Sequence, residues 1–253
     1  MLIPTRPIKR RSCCWRAAER SHMKVILWDW NGTLINDVHI TVGAFNAVAE
    51  EYGYSPVSLE RYREIYRHPI RELYQDAGFD LAAHPFEGIA RRWSELFRTF
   101  PRTADLHEDA RPVLEALKGR GSRQSILSAL PQPLLEDAVG SRDIRHLFES
   151  IHGATDDLGH GKVDAGLAVA RSLGVVGPDI TVIGDSSHDA EVAQELGASC
   201  ALVSHGAESE ARLQATGFEV FGSLSDVYAH LSGVPLPERL ASAAAERRVA
   251  AKK

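Results

Sequence analysis

The segment at 24–34, KVILWDWNGTL, constrains the fold of this chain most strongly, because a short apolar run ends there in an acidic residue and a turn. The apolar residues at 25–28 predict a strand that is buried on both faces, as the strands of a parallel sheet are. Such sheets bind ligands at the carboxyl ends of their strands, and Asp29 stands at that end. Asp29 is therefore a candidate nucleophile, with an Asp that only caps the turn as the alternative.

Three further segments carry polar residues that phosphoryl transfer needs. The run QSILSAL at 124–130 predicts a second strand, and Ser128 near its end can hydrogen-bond a phosphoryl oxygen. Lys162 follows a glycine-rich loop, GATDDLGHGK, and its compact cation can neutralise both a nucleophilic carboxylate and a phosphoryl group. In ITVIGDSSHDAEVAQELGA, at 180–198, a strand leads through Asp185 and Asp189 into a helix.

These residue types suggest a reaction. A carboxylate that attacks a phosphate ester splits hydrolysis into two steps through an acyl phosphate, and Asp29 is the predicted nucleophile. Carboxylates are the hard oxygen ligands that Mg²⁺ prefers, so Mg²⁺ is the predicted cofactor. Asp185 is predicted to bind the metal directly, whereas Asp189 either binds it or orients a ligand through water. The serine, the lysine and the backbone N–H groups at 30–33, which include Gly32 and Thr33, are predicted to stabilise the phosphoryl group.

In these four segments, taken in this order, the chain resembles the haloacid dehalogenase superfamily of aspartyl-phosphate-forming hydrolases. Residues 29–34 match the first motif, Ser128 the second, Lys162 the third, and GDSSHD at 184–189 the fourth. The resemblance covers about 23–232 and implies an α/β fold, with a doubly wound, Rossmann-like parallel-sheet core and an inserted all-helical cap domain. It also implies metal contacts from Asp29, Asp185, Asp189 and the backbone carbonyl of Asn31.

Asn31 is a departure from the family, which has a second Asp at this position to protonate the leaving group and then activate water. An amide cannot do acid–base work, and the lost step is typically worth about 10²–10⁴ in rate. Three explanations remain open: a leaving group that needs no protonation, such as that of an acyl phosphate or a phosphoanhydride; a replacement acid from the cap; or a role other than hydrolysis. His39, His68 and His84 are candidate replacement acids, with ordinary surface or packing histidines as the alternative.

Two other branches of the superfamily are disfavoured. Phosphonate-cleaving members use a Schiff-base lysine from the cap, and this chain has no lysine between Lys24 and Lys118. Dehalogenating members work without a metal, so Asp185 and Asp189 would then place needless negative charge around the nucleophile.

Nearly one hundred residues separate the first two motifs, which is far more than a crossover connection needs. The patterns at 39–54, 58–79 and 84–100 are helical, so 37–104 is predicted to form a helical cap that resembles the cap of phosphoglycolate phosphatase-like members. Arg67 and Arg71 are predicted to bind an anionic substrate beneath it, although arginines interspersed with glutamates also occur on any solvated helix face. One group of cap residues is interpreted as hydrophobic core rather than as substrate contacts: Tyr62, Leu73, Tyr74, Trp93, Leu96 and Phe97.

Helical signals alternate with apolar runs through the rest of the chain, ending near Ala129, Gly153, Gly184, Val203 and Phe221. The predicted core therefore comprises 23–36 and 105–232. The Arg-rich residues 1–22 precede Met23, which looks like a natural start, and are expected to be a disordered extension. Residues 233–253 are expected to form a loose tail that docks on nothing.

Composition limits the partners. With 253 residues, 44% of them apolar, and a net charge of −5, the chain is long enough for a core and a cap and is not a general nucleic-acid binder. No apolar run is long enough to cross a membrane. Three cysteines form no disulfide framework, so a reducing cytoplasm is the expected location. The expected partner is a small phosphate metabolite, and the expected state is a monomer or a homodimer.

The sequence thus predicts a Mg²⁺-dependent phosphatase that acts on a small anionic phosphate ester, such as a phosphoglycolate-like compound or a sugar phosphate. The alternative is a catalytically weakened relative that binds a phosphate metabolite or regulates, because Asn31 has removed the general acid. Phosphoryl transfer to an acceptor other than water is a third possibility.

Overall fold

A computed structural model describes residues 25–99, 104–154, 162–238 and 240 of the chain. The strands in this part of the chain form one parallel sheet in the order β3-β2-β1-β4-β5-β6. They are β1 (Val25–Trp28), β2 (Arg123–Pro131), β3 (Ser150–Ala154), β4 (Ile180–Gly184), β5 (Ser199–Val203) and β6 (Glu219–Phe221). The strand order reverses between β1 and β4, and ligands of open α/β sheets bind in the crevice at such a switch point.

Helices cover both faces of the sheet, which explains why its central strands are apolar throughout. Alternate residues of β1 point to opposite faces: Ile26 packs into one buried cluster and Leu27 into the other. The first face is covered by α5 (Ala110–Gly119), α6 (Gln132–Gly140) and α10 (Leu224–Ser232), and the second by α7 (Lys162–Leu173), α8 (Ser187–Leu196) and α9 (Glu210–Ala215). The predicted doubly wound α/β core is therefore confirmed.

In the described part of the chain, four helices lie between β1 and α5 and share a hydrophobic cluster, which also includes Ala207 from the core. They are α1 (Val38–Glu51), α2 (Leu59–Ile65), α3 (Ile70–Asp76) and α4 (Phe86–Thr99). Phe45 lies at the centre of this cluster, with its ring centroid 4.8 Å from that of Tyr74 and 5.5 Å from that of Tyr62. The inserted helical cap agrees with the prediction, while the domain limits drawn from the sequence stay predictions.

The middle helical segment of the cap differs from its prediction. The pattern at 58–79 predicts uninterrupted helix, but the structure has two helices, α2 and α3, separated by residues 66–69. Pro69 explains the break, because it has no N–H to donate and it disfavours the helical conformation for His68 before it. The break has a consequence for the site, since Tyr66 and His68 within it line the cavity described below.

Other expectations concern the ends of the chain. The predicted extension at 1–22, with Cys13 and Cys14, lies outside the described residues, as does 241–253. Leu236 and Leu240 pack against the core, which differs from the expected tail without contacts. Cys200 is buried in β5. No helix in the described part of the chain has the length and apolar character needed to cross a membrane.

Candidate active site

Asp29 lies one residue beyond β1, at the switch point of the sheet. Its backbone N–H donates to the carbonyl of Ile183 in β4 at 2.8 Å, so the neighbouring strand fixes its position. The side chain is 8% exposed and lines a cavity between the core and the cap. Asp29 is thus a buried carboxylate with access to a cavity, as a nucleophile requires.

Lys162, the first residue of α7, joins Asp29 to Asp189. Its Nζ donates to Oδ1 of Asp29 at 2.7 Å and to Oδ1 of Asp189 at 2.6 Å. Burial would lower the pKa of this ammonium group, but the two carboxylates outweigh that effect and hold the pKa above its ordinary value. Lys162 therefore stays charged and leaves the second oxygen of Asp29 available for chemistry.

Asp185 follows β4 and is held by groups from two loops. Its Oδ2 accepts from the backbone N–H of Ala207 at 2.6 Å, and its Oδ1 accepts from Oγ1 of Thr33 at 3.2 Å. Gly32 and Gly206 both pack directly against this carboxylate, where a Cβ atom would overlap it. Gly32 also has a φ of +75°, a conformation that favours glycine.

The N–H groups of the turn after Asp29 are largely used within the protein. The Gly32 N–H donates to Oδ1 of Asp37 at 2.9 Å, and the Thr33 N–H approaches the Trp30 carbonyl at 3.4 Å. Neither Gly32 nor Thr33 is among the residues that line the cavity. The structure thus places both residues beside Asp185, rather than in the predicted position of phosphate contacts. Ser128, by contrast, lines the cavity as predicted, with its Oγ accepting from the Leu130 N–H at 3.1 Å.

Asp189 is fully buried and its oxygens are already engaged. Besides the lysine contact, its Oδ2 accepts from the backbone N–H of Ser186 at 3.1 Å, which is part of the capping box of α8. The same oxygen also accepts from Oγ of Ser186 at 2.6 Å. Burial would raise its pKa, but Lys162 and these hydrogen bonds hold the pKa below its ordinary value. Asp189 therefore orients Lys162 and the loop, a role that differs from both sequence alternatives, direct metal binding and orientation of a metal ligand through water.

Asp29, Asp185 and Asp189 offer oxygens that all lie within 4.8 Å of one another. Three buried carboxylates face the single ammonium of Lys162, so negative charge remains in excess. Burial raises the pKa of both Asp29 and Asp185, and the charges of neighbouring carboxylates raise both further. A hard divalent cation would remove this repulsion, so the residues present fit the predicted Mg²⁺.

Asn31 is held by Asp37, a buried carboxylate that the sequence analysis did not single out. The Nδ2 group of Asn31 donates to Oδ2 of Asp37, so its other polar atom, Oδ1, can only accept a hydrogen bond. Burial raises the pKa of Asp37 to about 6, although the hydrogen bonds from Asn31 and Gly32 oppose this. Asn31 lines the cavity, but its amide has no proton acidic enough to transfer to a leaving group.

The cavity has a volume of about 200 Å³ and two contrasting ends. The core supplies Asp29, Ser128, Lys162 and Asp185. The cap supplies mainly aromatic side chains: Phe45, Tyr62, Tyr66, Tyr74, Trp93 and Phe97. Of those interpreted as cap core, Tyr62, Tyr74 and Trp93 do pack in the cap's cluster. They also face the cavity, which a helical pattern alone cannot reveal.

The predicted substrate contacts Arg67 and Arg71 do not line the cavity. Arg67 pairs instead with Asp76 at 2.5 Å and with Glu72 at 3.6 Å, because α3 places both carboxylates beside it. Arg71 is exposed on the same helix. These two arginines therefore fit the alternative interpretation better, in which they belong to a solvated helix surface and do not bind substrate.

Of the three candidate histidines, only His68 lines the cavity. Its ring stacks on that of His188 at 4.3 Å between centroids, and burial and then the charge of His188 lower its pKa to about 3. A neutral imidazole is a poor general acid at ordinary pH. His39 is exposed, and Nδ1 of His84 lies 2.9 Å from the hydroxyl of Tyr54.

A family model described as "Haloacid dehalogenase-like hydrolase" matches residues 26–203, a stretch that contains all four motifs and more than half of the chain. The chain belongs to this family. The prediction of a hydrolase of the haloacid dehalogenase superfamily is thereby confirmed.

Several proteins that are similar to this chain are named as phosphatases. A phosphoglycolate phosphatase from Synechococcus elongatus is 26% identical over 189 residues, which are 73% of this chain and 85% of that protein. One from Caulobacter vibrioides is 28% identical over 202 residues, which are 73% of this chain and 81% of that protein. A haloacid dehalogenase-like family protein from Streptococcus pneumoniae shares the fold with a TM-score of 0.72 at 19% identity, covering 82% of this chain and 98% of that one.

Proposed function

We propose that the protein is a Mg²⁺-dependent phosphatase that hydrolyses a small phosphate monoester through an aspartyl phosphate on Asp29. The observation that carries the proposal is the position of Asp29: buried, at the switch point of the sheet, within 2.7 Å of Lys162 and open to a cavity. The phosphatase names of the relatives support the same reaction.

Each residue has a proposed part in the first step. Asp29 attacks phosphorus with its second oxygen, while Lys162 and Ser128 stabilise the charge on the phosphoryl oxygens. Asp29, Asp185 and the backbone carbonyl of Asn31 would hold Mg²⁺. When bound, the metal would supply a Lewis acid that offsets the repulsion between the carboxylate and the phosphate. Asp189 keeps Lys162 oriented, and the substrate's leaving group extends toward the cap.

The second step is hydrolysis of the aspartyl phosphate by water. Family members use the Asp that is replaced here by Asn31 to activate that water, so we expect this step to be slow in the wild-type protein. The aspartyl phosphate should then accumulate, because its formation depends less on proton transfer than its hydrolysis does when the leaving group is good.

The test is steady-state hydrolysis with Mg²⁺ together with mass spectrometry of the Asp29 peptide after acid quenching. We expect wild type to turn over acetyl phosphate or para-nitrophenyl phosphate and to carry a phosphoryl group on Asp29. Asp29→Asn should lose both the activity and the modification, whereas Asp105→Asn, a matched change at an exposed aspartate, should keep them. Activity that survives in Asp29→Asn would contradict the proposal.

A second function is favoured by Asn31 alone: binding of a phosphate metabolite, or regulation, without efficient hydrolysis. Under this alternative, wild type would hydrolyse nothing and Asn31→Asp would hydrolyse esters. Transfer of the phosphoryl group from Asp29 to an acceptor other than water is a third possibility, and it would show as an aspartyl phosphate that water does not discharge. We also propose a cytoplasmic monomer or homodimer that binds neither nucleic acid nor membranes, and the net charge of −5 supports the absence of nucleic-acid binding.

A further inference from the structure

The part of the cavity that faces the cap suits an aromatic group. Tyr62, Tyr66, Trp93 and Phe97 contribute to its wall, and among the described residues that line the cavity the cap supplies no arginine or lysine. A cavity of about 200 Å³ is large enough for one aromatic ring, since an apolar cavity of about 150 Å³ in another protein binds benzene. The wall is therefore matched to an uncharged, flat group.

None of the cap arginines whose side chains the structure describes lines this cavity, so none of them is placed to bind a substrate carboxylate. Arg63 donates to the backbone carbonyls of His205 and Gly206, both at 2.8 Å. Arg92 pairs with Glu51 at 2.6 Å, and Arg91 is exposed. His68, which does line the cavity, has its pKa lowered to about 3 and carries no charge near neutral pH. A leaving group with its own negative charge, such as that of phosphoglycolate, would lack a partner at this end.

At the core end of the cavity, Asn31 restricts the chemistry of the leaving group, and this restriction does not depend on the aromatic wall of the cap. Asn31 donates from Nδ2 to Asp37, and as an amide it has no acidic proton with which to protonate a departing oxygen. A leaving group that is stable as an anion does not need that proton. Phenols lose their proton at a pKa of about 10, whereas aliphatic alkoxides are far more basic.

From these two observations we propose that the substrate class of this site is the aryl phosphates, the phosphate monoesters of phenols. The proposal rests on the proposed function and narrows it. The ring occupies the aromatic wall of the cap, and the phosphoryl group meets Asp29, Lys162 and Ser128.

The bonds balance without a general acid. The Asp29 oxygen forms a bond to phosphorus while the bond from phosphorus to the aryl oxygen breaks, and its electron pair leaves on the phenolate, which takes a proton from water after release. Water then attacks the aspartyl phosphate. This yields inorganic phosphate and restores the Asp29 carboxylate.

The experiment compares kcat/KM for four phosphates with Mg²⁺: phenyl phosphate, benzyl phosphate, acetyl phosphate and phosphoglycolate. The phenyl and benzyl compounds are similar in size and both aromatic, so their ratio isolates the leaving group. Acetyl phosphate has a good leaving group but no ring, so comparing it with phenyl phosphate isolates the contribution of the aromatic cavity wall. The parameter kcat/KM covers steps up to formation of the aspartyl phosphate and is not affected by a slow second step.

We expect phenyl phosphate to give the highest kcat/KM and benzyl phosphate to be lower by about 10²-fold or more, the size of a missing general acid. Asn31→Asp should raise kcat/KM for benzyl phosphate by about 10²-fold while changing that for phenyl phosphate much less. Trp93→Ala should lower kcat/KM for phenyl phosphate but not for acetyl phosphate. Trp93→Phe should restore it, and Arg91→Ala, an exposed change on the same helix, should have no effect.

Three outcomes would overturn the inference. If phosphoglycolate is the best substrate of wild type and Asp29→Asn is inactive, the substrate class is wrong while the proposed function stands. Equal kcat/KM values for phenyl and benzyl phosphate would refute the argument from the leaving group. If Trp93→Ala and Trp93→Phe lower kcat/KM equally for phenyl and acetyl phosphate, the argument from the aromatic cavity wall is refuted. If neither wild type nor Asn31→Asp hydrolyses any of the four, the proposed function itself fails.

Discussion

At the scale of single residues, the site is defined by an imbalance of charge. Asp29, Asp185 and Asp189 are buried together with one cation, Lys162. Two of these carboxylates have a raised pKa, which shows that their charged forms are disfavoured in the absence of a metal. The arrangement costs stability on its own, and a bound cation would recover that stability.

We therefore expect Mg²⁺ to raise the melting temperature, and to raise it more at about pH 8 than at about pH 5. A carboxyl whose folded-state pKa is raised holds its proton longer when folded than when unfolded, so the stability of the metal-free protein falls as the pH rises above about 4. At a pH above the raised pKa values of Asp29 and Asp185, both carboxylates are charged and metal binding is strongest. At about 100 times Kd the ligand contributes about 2.7 kcal/mol, or roughly 5–10 °C for a protein of this size. Differential scanning calorimetry measures the shift.

Asp185→Asn is the diagnostic variant for that prediction. An amide at this position can still accept from the Ala207 N–H and can donate to Oγ1 of Thr33, so the fold should persist. We expect it to melt higher than wild type in metal-free buffer, because repulsion is relieved, and to lose the Mg²⁺ shift. Asp105→Asn should behave as wild type. A full Mg²⁺ shift in Asp185→Asn would contradict the assignment.

At the scale of elements, the loop that follows β5 supports the site through backbone rather than side-chain chemistry. Gly206 lies in this loop without a positive φ, so alanine is compatible with its backbone, yet a Cβ there would overlap the carboxylate of Asp185. Gly206→Ala should displace that carboxylate and lower kcat/KM by about 10²-fold, as misplacements of about 1 Å do. Steady-state kinetics and the Mg²⁺-dependent melting shift check the prediction.

Gly119→Ala is the matched control for Gly206→Ala. Gly119 is the last residue of α5, has no positive φ, and has open space where its Cβ would lie. This variant should keep wild-type kinetics. Unchanged kinetics and an unchanged metal shift in Gly206→Ala would mean that the loop tolerates a side chain beside Asp185.

The elements also show what the sequence could predict. Strands of a parallel sheet are buried on both faces, so they appear as uninterrupted apolar runs, and the predicted ends at Gly184, Val203 and Phe221 coincide with those of β4, β5 and β6. Because functional side chains follow the strand ends, Asp29 and Asp185 could be found in the same way. The break between α2 and α3 was missed although Pro69 marks it.

Contacts between segments that are distant in the chain could not be predicted from the sequence. Asp37 reads as the start of a helix, and only the folded turn brings it to the Asn31 amide. Trp93 and Phe97 repeat with helical spacing, which is equally compatible with a cap core and with a cavity wall. The arginines of the cap look alike in the sequence, and their partners decide that Arg63 contacts the core whereas Arg67 pairs within the cap.

At the scale of the whole molecule, the cap is held over the core by a small number of polar contacts. Arg63 on α2 donates through its guanidinium to two carbonyls of the loop after β5, and its own carbonyl accepts from the Ser209 N–H at 2.9 Å. The stacked rings of His68 and His188 form a second contact between cap and core. The loop that accepts hydrogen bonds from Arg63 is also the loop that supports Asp185. The position of the cap is therefore coupled to the geometry of the site.

Arg63→Ala should therefore open the cap and weaken substrate binding. A hydrogen bond to a charged group contributes about 1.5–3 kcal/mol, and a factor of ten corresponds to about 1.4 kcal/mol, so we expect KM to rise roughly 10- to 100-fold. Hydrogen exchange of the α2 amides should also accelerate, since the helix loses its anchor. Arg61→Ala is the matched control: this arginine lies on the same helix, is exposed, and pairs with Glu64 at 3.3 Å, a surface contact of little energetic weight. If Arg63→Ala and Arg61→Ala have the same KM and the same exchange rates, the cap is positioned by its apolar contacts, and the shared loop does not couple it to the site.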